Sequence, residues 1–357
     1  FGISYAVLST RYSTNIYMEN LTIRNDADFG GPHDAGVAVA HYGGNLDIMR
    51  NVTMQSHQDT QVTGEKGYYY NCTFYGKTDY ICGGGDHYYD NCHFVMTEAG
   101  GVITAPSTMP SLKHGYVMMN CDISGAANYC LGRPWQNEPR NFWINTTMHT
   151  LAAPAGWTKM STLPTHFFEY GSVDGNGNPV DLSKRTNSPT STNSYNPVLD
   201  AKYVPYFTHR NVLGYKDSWD AAEHAAVLPA TEVGMDEQGN LHWGAVKGAA
   251  AYLVFRNGAF VTMTPELSIA SADLDDAVSS MIQRAAAVYT VKAVSANGVT
   301  GEMSEAHREG WTAIDAVEAD GNAEVEYYNL QGVRVANPES GLYIRRLGNT
   351  VTKLFLK

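Results

Sequence analysis

The sequence predicts an all-β protein: a right-handed parallel β-helix, followed by a small β-sandwich and a short C-terminal β segment. Three observations carry this expectation. A short phrase recurs as MENLTI, MRNVTM, YYNCTF, YDNCHF, MMNCDI and WINTTM, around Asn20, Asn51, Asn71, Asn91, Asn120 and Asn145. Its intervals, 31, 20, 20, 29 and 25 residues, are those of a coil with constant strands and variable loops, not of a propeller or a helical repeat. Residues 1 to about 150 are rich in Tyr, Val, Ile, Thr and Phe, punctuated by Gly and Asn and without helical periodicity. Parallel strands joined by turns need no helices when they wind as a solenoid.

Length and charge set outer bounds. The 357 residues suffice for two or three domains, and 43% hydrophobic residues is ordinary for a globular chain. A formal net charge of −12, with no basic stripe or run of Lys and Arg, argues against nucleic acid as a partner. No apolar run reaches the roughly eighteen residues of a membrane span, so no transmembrane helix is expected. Phe1 opens directly into the strand-like ISYAVLS with no charged n-region, so the start of the gene product and its targeting information are expected to lie outside this sequence. Nothing in the residues sets the oligomeric state; a monomer is the working expectation.

Within the repeat, each position has a physical reading. Asn tolerates left-handed backbone geometry and can bond the neighbouring turn, which explains its recurrence better than glycosylation of the N-x-T sequons at Asn20, Asn51, Asn71 and Asn145. Cys72, Cys92 and Cys121 each follow such an Asn and are expected to stack inward. With Cys82 and Cys130 the cysteines number five, so at least one is unpaired; free core thiols are expected in preference to disulfides. No CxxC or HExxH spacing supports a metal site with His87 or His93.

The texture changes after the repeats. Residues 151–220 carry long loops such as GSVDGNGNPVDLSKRTNSPTSTNSYNPV, expected to cover a face of the solenoid and border a cleft, and residues 1–220 form the first domain. SWDAAEHAAVLPATE, Ser218 to Glu232, reads as a short helix or linker, with 221–232 taken as the linker. Residues 233–310 alternate as LHWGAV, AYLVFRNG and VYTVKAVSANGVTG, the pattern of a small sandwich. That stretch resembles a fibronectin type III module in the spacing of Trp243, Tyr252 and Tyr289. Residues 311–357 are similar to the C-terminal β modules, of sorting or anchoring type, on many exported Bacteroidetes proteins.

The chemistry is expected in QDTQVTGEKGYYYNCTFYGKTDYICGGG, Gln58 to Gly85. Asp59 and Asp79 lie 20 residues apart, one coil of the repeat, so they return to neighbouring rungs. Adjacent like charges push their titrations apart and leave one carboxyl protonated, an asymmetry suited to a nucleophile and a general acid.

With these residues in place, the first 220 residues resemble the pectin methylesterases (pectinesterases, carbohydrate esterase family 8). Gln58-Asp59-Thr60, Gly76-Lys77-Thr78-Asp79-Tyr80-Ile81-Cys82-Gly83 and Leu131-Gly132-Arg133-Pro134-Trp135 carry the likeness, the last two beside the family's GTVDFIFG and LGRPW. GVAVAHYGG at 36–44, FFEYGSVDGNG at 167–177 and YFTHRNVLGYKDSWD echo further family segments. The resemblance implies a right-handed parallel β-helix and an extracytoplasmic esterase that removes methyl groups from homogalacturonan without a metal or other cofactor. It implies Asp79 as nucleophile, Asp59 as general acid then base, Gln58 as oxyanion donor, and Arg133 pairing with Asp79 to lower its pKa and orient it. Trp135 and Tyr80 are implied to border the sugar.

One departure bears on activity. Gly36 stands where the family has a glutamine that donates to the oxyanion, and loss of one such donor costs on the order of 10²–10³ in turnover. His33, His41 or His57 are candidate substitutes, though a structural role is the ordinary one for each. Cys82 and Gly84-Gly85 replace bulkier family residues and are expected to widen the pocket. Deacetylation, another polyuronate ester, a silent pectin-binding β-helix and a polysaccharide lyase are the competing readings; fold alone does not separate them.

Overall fold

A computed structural model describes residues 6–26, 36–186, 195–276, 287–308, 325–329, 334–335, 338, 341–347 and 350–356. The chain divides into two compact units, Phe1–Leu228 with Val294–Gly301, and Pro229–Ala293 with Glu302–Lys357.

The first unit is a coil of three parallel sheets, each strand pairing with the strand one coil away. The first sheet has six strands, Leu8–Ser9, Val39–Ala40, Gln61–Thr63, Thr78–Gly83, Val102–Pro106 and Cys130–Gly132. The second and third have seven each, running from Tyr17–Glu19 to His166–Tyr170 and from Thr22–Arg24 to Val173–Asp174.

The repeated Asn makes the corner between the second and third sheets. Asn20, Asn51, Asn71, Asn91, Asn120 and Asn145 all have φ between 50° and 55°, a left-handed conformation that turns the chain in one residue. Their side chains form short ladders along the coil: Asn71 Nδ2 donates to Asn51 Oδ1 at 2.8 Å and Asn51 Nδ2 to Asn20 Oδ1 at 2.9 Å. The position is thus used for the backbone, as the sequence argues.

The residue after each corner points inward. Cys72, Cys92 and Cys121 are buried, and all five cysteines are free thiols. Aromatic residues stack beside them in register, Tyr69 on Tyr89 at 4.6 Å and Phe74 on Phe94 at 5.3 Å between ring centroids. Equivalent positions of successive coils carry similar shapes, so the interior packs as columns.

Outside the second sheet, Tyr68, Tyr88, Val117 and Phe142 pack beneath Phe207, Val212, Leu213 and Trp219. The covering chain carries short helices, Ala201–Tyr206 (3-10), His209–Leu213 and Ala221–His224, capped by Asp200, Thr208 and Asp220. The last lies inside Ser218–Glu232, expected to be a short helix or linker; Ala221 is fully buried, and the first unit's main segment runs on to Leu228. The preceding loop is pinned by a buried ion pair, Arg185 Nε to Glu169 Oε2 at 2.7 Å, with the guanidinium also donating to Ala153 O and Pro154 O.

The second unit is antiparallel. One sheet joins Val233–Met235, Leu241–Trp243 and Ser268–Ile269; another runs Ala259–Thr264, Ala249–Arg256, Val288–Ser295, Thr300–Met303, with His307–Arg308 also pairing Val288–Ser295. Trp243 and Tyr252 are buried with ring centroids 5.7 Å apart, and Tyr289 is buried as well. A third sheet orders Arg334–Val335, Val325–Tyr328, Gly341–Leu347 and Thr350–Leu356. Of the expected C-terminal module, residues 311–324 lie outside the described residues. Among the described residues no helix is long and apolar enough to cross a membrane.

Asn71→Ala places a Cβ-bearing residue without a local side-chain bond in the left-handed corner and cuts the ladder to Asn51. It should lose about 1–2 kcal/mol in urea denaturation, with Asn71→Gly losing distinctly less. Equal losses for both would put the whole effect on the side-chain ladder.

Candidate active site

Asp59 and Asp79 occupy equivalent points of successive coils, where the chain enters the first sheet. Ile81 pairs with Gln61, Gln58 bridges Thr78, and the Asp59 N–H donates to Thr78 O at 3.2 Å. Both aspartates have positive φ, 54° and 49°. Such backbone costs a non-glycine residue on the order of 1 kcal/mol and concentrates at functional positions. Asp59 is 5% exposed and Asp79 4%.

Arg133 follows Cys130–Gly132, the strand two coils beyond that of Asp79, and reaches back over the intervening coil. Its Nε donates to Asp79 Oδ1 at 2.8 Å and its Nη2 to Oδ2 at 2.5 Å, a two-pronged pairing that fixes the carboxylate plane. The neighbouring residues explain why the motif has its form. Leu131 is core, and Gly132 leaves the space that Thr104 Oγ1 occupies. Trp135 is half-buried and lines a groove of about 700 Å³.

That groove is adjacent to the carboxylates and does not contain them. It is lined by Gly83–Gly85, at and beyond the end of the Asp79 strand, by Thr63 at the end of the next strand, and by Ser107. The two aspartates lie where the strands begin, and the groove where they end.

Burial is the largest influence on both carboxyls. Asp59 is pushed up to about 6, first by burial and then by the charge of Asp79; hydrogen bonds from Cys82 and Gln58 and the charge of Arg133 oppose this. Asp79 is also raised, by burial, against the Arg133 hydrogen bonds and charge. The sequence-based expectation that Arg133 brings Asp79 below its ordinary value is therefore corrected: the fork is made, but desolvation outweighs it. The asymmetry between the two rests on Arg133, whose hydrogen bonds go to Asp79 and favour its ionised form, while the charge of Asp79 adds to the rise of Asp59. Asp79 gives up its proton first.

Tyr80 is not where the resemblance places it. It is fully buried in the interior cluster, its ring centroid 6.4 Å from that of Phe94, and its hydroxyl has no hydrogen-bond partner. The backbone irregularity between Thr78 and Ile81, with Asp79 in the left-handed conformation, turns it inward beside Ile81, and a Cβ at Gly76 would overlap the Tyr80 ring. Cys82 lies on the site side, and burial and the two aspartates push its thiol up, so it is protonated and donates to Asp59. Only its size relative to the family motif was visible in the sequence.

Neither His41 nor His57 replaces the missing amide. His41 is fully buried, with Nδ1 2.7 Å from Thr10 Oγ1 and 3.0 Å from Asp47 Oδ2. His57 pairs with Glu98 at 3.2 Å, which also takes Lys77 at 2.5 Å. His33 lies outside the described residues. Gly36 is buried, its carbonyl accepting from Ser56 Oγ. Among the described residues no group of three or more His, Cys, Asp or Glu is disposed to hold a metal ion.

The structure is thus a parallel β-coil with paired, buried aspartates and an arginine fork, and comparison with known proteins gives its family. The family model described as Pectinesterase matches residues 5–215. This chain belongs to the pectinesterase family. It is similar to pectinesterase 2 of Citrus sinensis, 26% identical over 236 residues, which cover 61% of this chain and 43% of the relative. The chain thus spans about half the length of the curated relatives it matches. Among solved structures it is similar to the pectin methylesterase from Yersinia enterocolitica, with 26% identity, TM-score 0.46, 60% of this chain and 78% of the other covered. The deglycosylated Aspergillus niger pectin methylesterase has 28% identity, TM-score 0.43, and coverage of 57% and 64%.

Two measurements check this site. Tyr80→Phe removes an unpartnered buried hydroxyl, so stability should hold or rise by about 1 kcal/mol and substrate KM should not move; a severalfold rise in KM would return Tyr80 to the substrate. Asp59→Asn tests the titration. A carboxyl raised in the folded state contributes stability below its ordinary value of 3.8, which is lost as pH rises through about 6. The variant should therefore gain on the wild type between pH 4 and pH 8, by about 2–3 kcal/mol in urea unfolding.

Proposed function

We propose that this chain is a carboxylic ester hydrolase that removes methyl groups from methylesterified homogalacturonan and releases methanol. The observation that supports it most directly is the Arg133 fork on Asp79 beside an Asp59 raised to about 6. One carboxylate is oriented and ionises first; the other retains its proton in mildly acidic solution.

In this reading an Asp79 oxygen attacks the ester carbonyl carbon, and the carbonyl electrons move to oxygen. The Gln58 amide donates to that oxyanion, and Gly36 contributes no side chain. As the tetrahedral species collapses, the bond to the methoxy oxygen breaks and Asp59 supplies the proton, so methanol leaves and an acyl anhydride joins Asp79 to the sugar. Water then attacks the acyl carbon, Asp59 takes its proton, and the galacturonate carboxylate leaves Asp79 free. The net change is ester plus water to carboxylate, methanol and a proton.

The assignment of substrate rests on family membership, and the protein is proposed to act extracytoplasmically. Trp135, half-buried on the groove, offers a ring face to a sugar. The second unit is proposed to comprise a fibronectin type III-like sandwich organised on Trp243, Tyr252 and Tyr289, and a C-terminal β module of sorting or anchoring type.

Asp79→Asn should lower methanol release from methylated pectin by about 10³-fold or more in folded protein, with wild-type turnover unchanged by a chelator. The wild-type rate should fall as pH rises through about 6, where Asp59 loses its proton, and fall again in acid as Asp79 gains one. Full methanol release by Asp79→Asn, or a rate that climbs steadily above pH 6, would overturn the assignment.

A further inference from the structure

The groove beside the carboxylates has a chemistry of its own. Gly64 and Gly83–Gly85 supply bare backbone along it, and Val62, Met109, Leu112 and Trp135 supply apolar surface. Its buried polar side chains, Thr63 and Ser107, are already engaged, and its other neutral polar side chains, Tyr42, Ser111, Gln136 and Asn137, belong to exposed residues. Thr63 Oγ1 donates to Gly84 O at 2.7 Å and lies 2.8 Å from the Tyr116 hydroxyl, and Asn137 Nδ2 donates to Ser107 Oγ at 2.8 Å. The charged lining residues, Glu65 and Lys216, are exposed.

A sugar hydroxyl seated at the centre would give up water and find few replacement partners, which disfavours it. An O-acyl group has no donor to satisfy and brings a methyl group to apolar surface. The space for it exists because position 84 lacks a side chain: a Cβ there would meet only Ser107 O, at 3.2 Å, within 4 Å.

We propose that this groove receives the O-acetyl group of a galacturonate in the same polysaccharide chain as the methyl ester being cut, so that the favoured substrate is both methylesterified and O-acetylated. This deepens the esterase reading and rests on it. The acetyl group is held and not hydrolysed, since the groove lies at the opposite end of the strands from Asp79.

The test uses the full chain on two methylated galacturonan oligomers that differ only in O-acetylation, with methanol and acetate both measured. The wild type should show kcat/KM for methanol release about fivefold or more higher on the acetylated oligomer, the factor one buried methyl supplies. Gly84→Leu, outside the left-handed region, fills the space and should bring that ratio to one or below. Met109→Ser, at a position 51% exposed and so little coupled to folding, should lower the ratio in the same direction.

A wild-type ratio at or below one overturns the inference, as does a ratio unmoved in both folded variants. Acetate released in place of methanol overturns it too, because the acyl group would then sit at Asp79. Calorimetric binding of both oligomers to Asp79→Asn separates this inference from the esterase reading. If neither oligomer yields methanol, the esterase reading fails, and a binding preference for the acetylated oligomer, or its absence, decides the groove alone.

Discussion

The backbone ladder between parallel coils is the constraint on which the first unit depends. Each coil lies one strand spacing, about 4.8 Å, from the next, and every strand finds its partner at the same phase of the following turn. Residues separated by one coil length therefore become lateral neighbours. The interior columns of Cys, Tyr and Phe, the Asn ladder and the Asp59–Asp79 pair are consequences of one geometry. Left-handed corners keep the phase: six Asn residues turn the chain between the second and third sheets, and the two aspartates use the same conformation to enter the first.

That placement creates the electrostatic problem from which the proposed chemistry follows. Two carboxyls held in a nearly closed site lose hydration, and a single guanidinium serves one of them. The imbalance separates their roles. Asp79 is oriented by the fork, whereas Asp59 is raised by burial and then by its neighbour's charge, the asymmetry on which the proposed acid and nucleophile rest. The Cys82 thiol and the Gln58 amide temper the rise of Asp59 without reversing it.

The unit's sheets have different fates on their outer sides. The second is covered by apolar residues from the segment between Leu199 and Ala225. The first carries the reacting pair at one end of its strands and the groove at the other. A parallel coil permits this division, because all strand beginnings lie along one edge and all strand ends along another.

The sequence by itself determined the coil, its variable loops, the inward thiols and the corner role of Asn, because a repeat period converts sequence distance into lateral contact. The family resemblance, carried by the motif residues, also supplied the pairing of Asp79 with Arg133. It placed Tyr80 at the sugar, where only the backbone irregularity at Asp79 and the space above Gly76 could show that the ring turns inward. A short helix at Ala221–His224 was among the expectations, but those at Ala201–Tyr206 and His209–Leu213 were marked only by Asp and Thr caps, too brief for periodicity to reveal. The direction of the Asp79 shift was decided in three dimensions. Desolvation sums over every surrounding atom, whereas sequence shows only the one favourable partner, so the fork was legible and the burial that outweighs it was not.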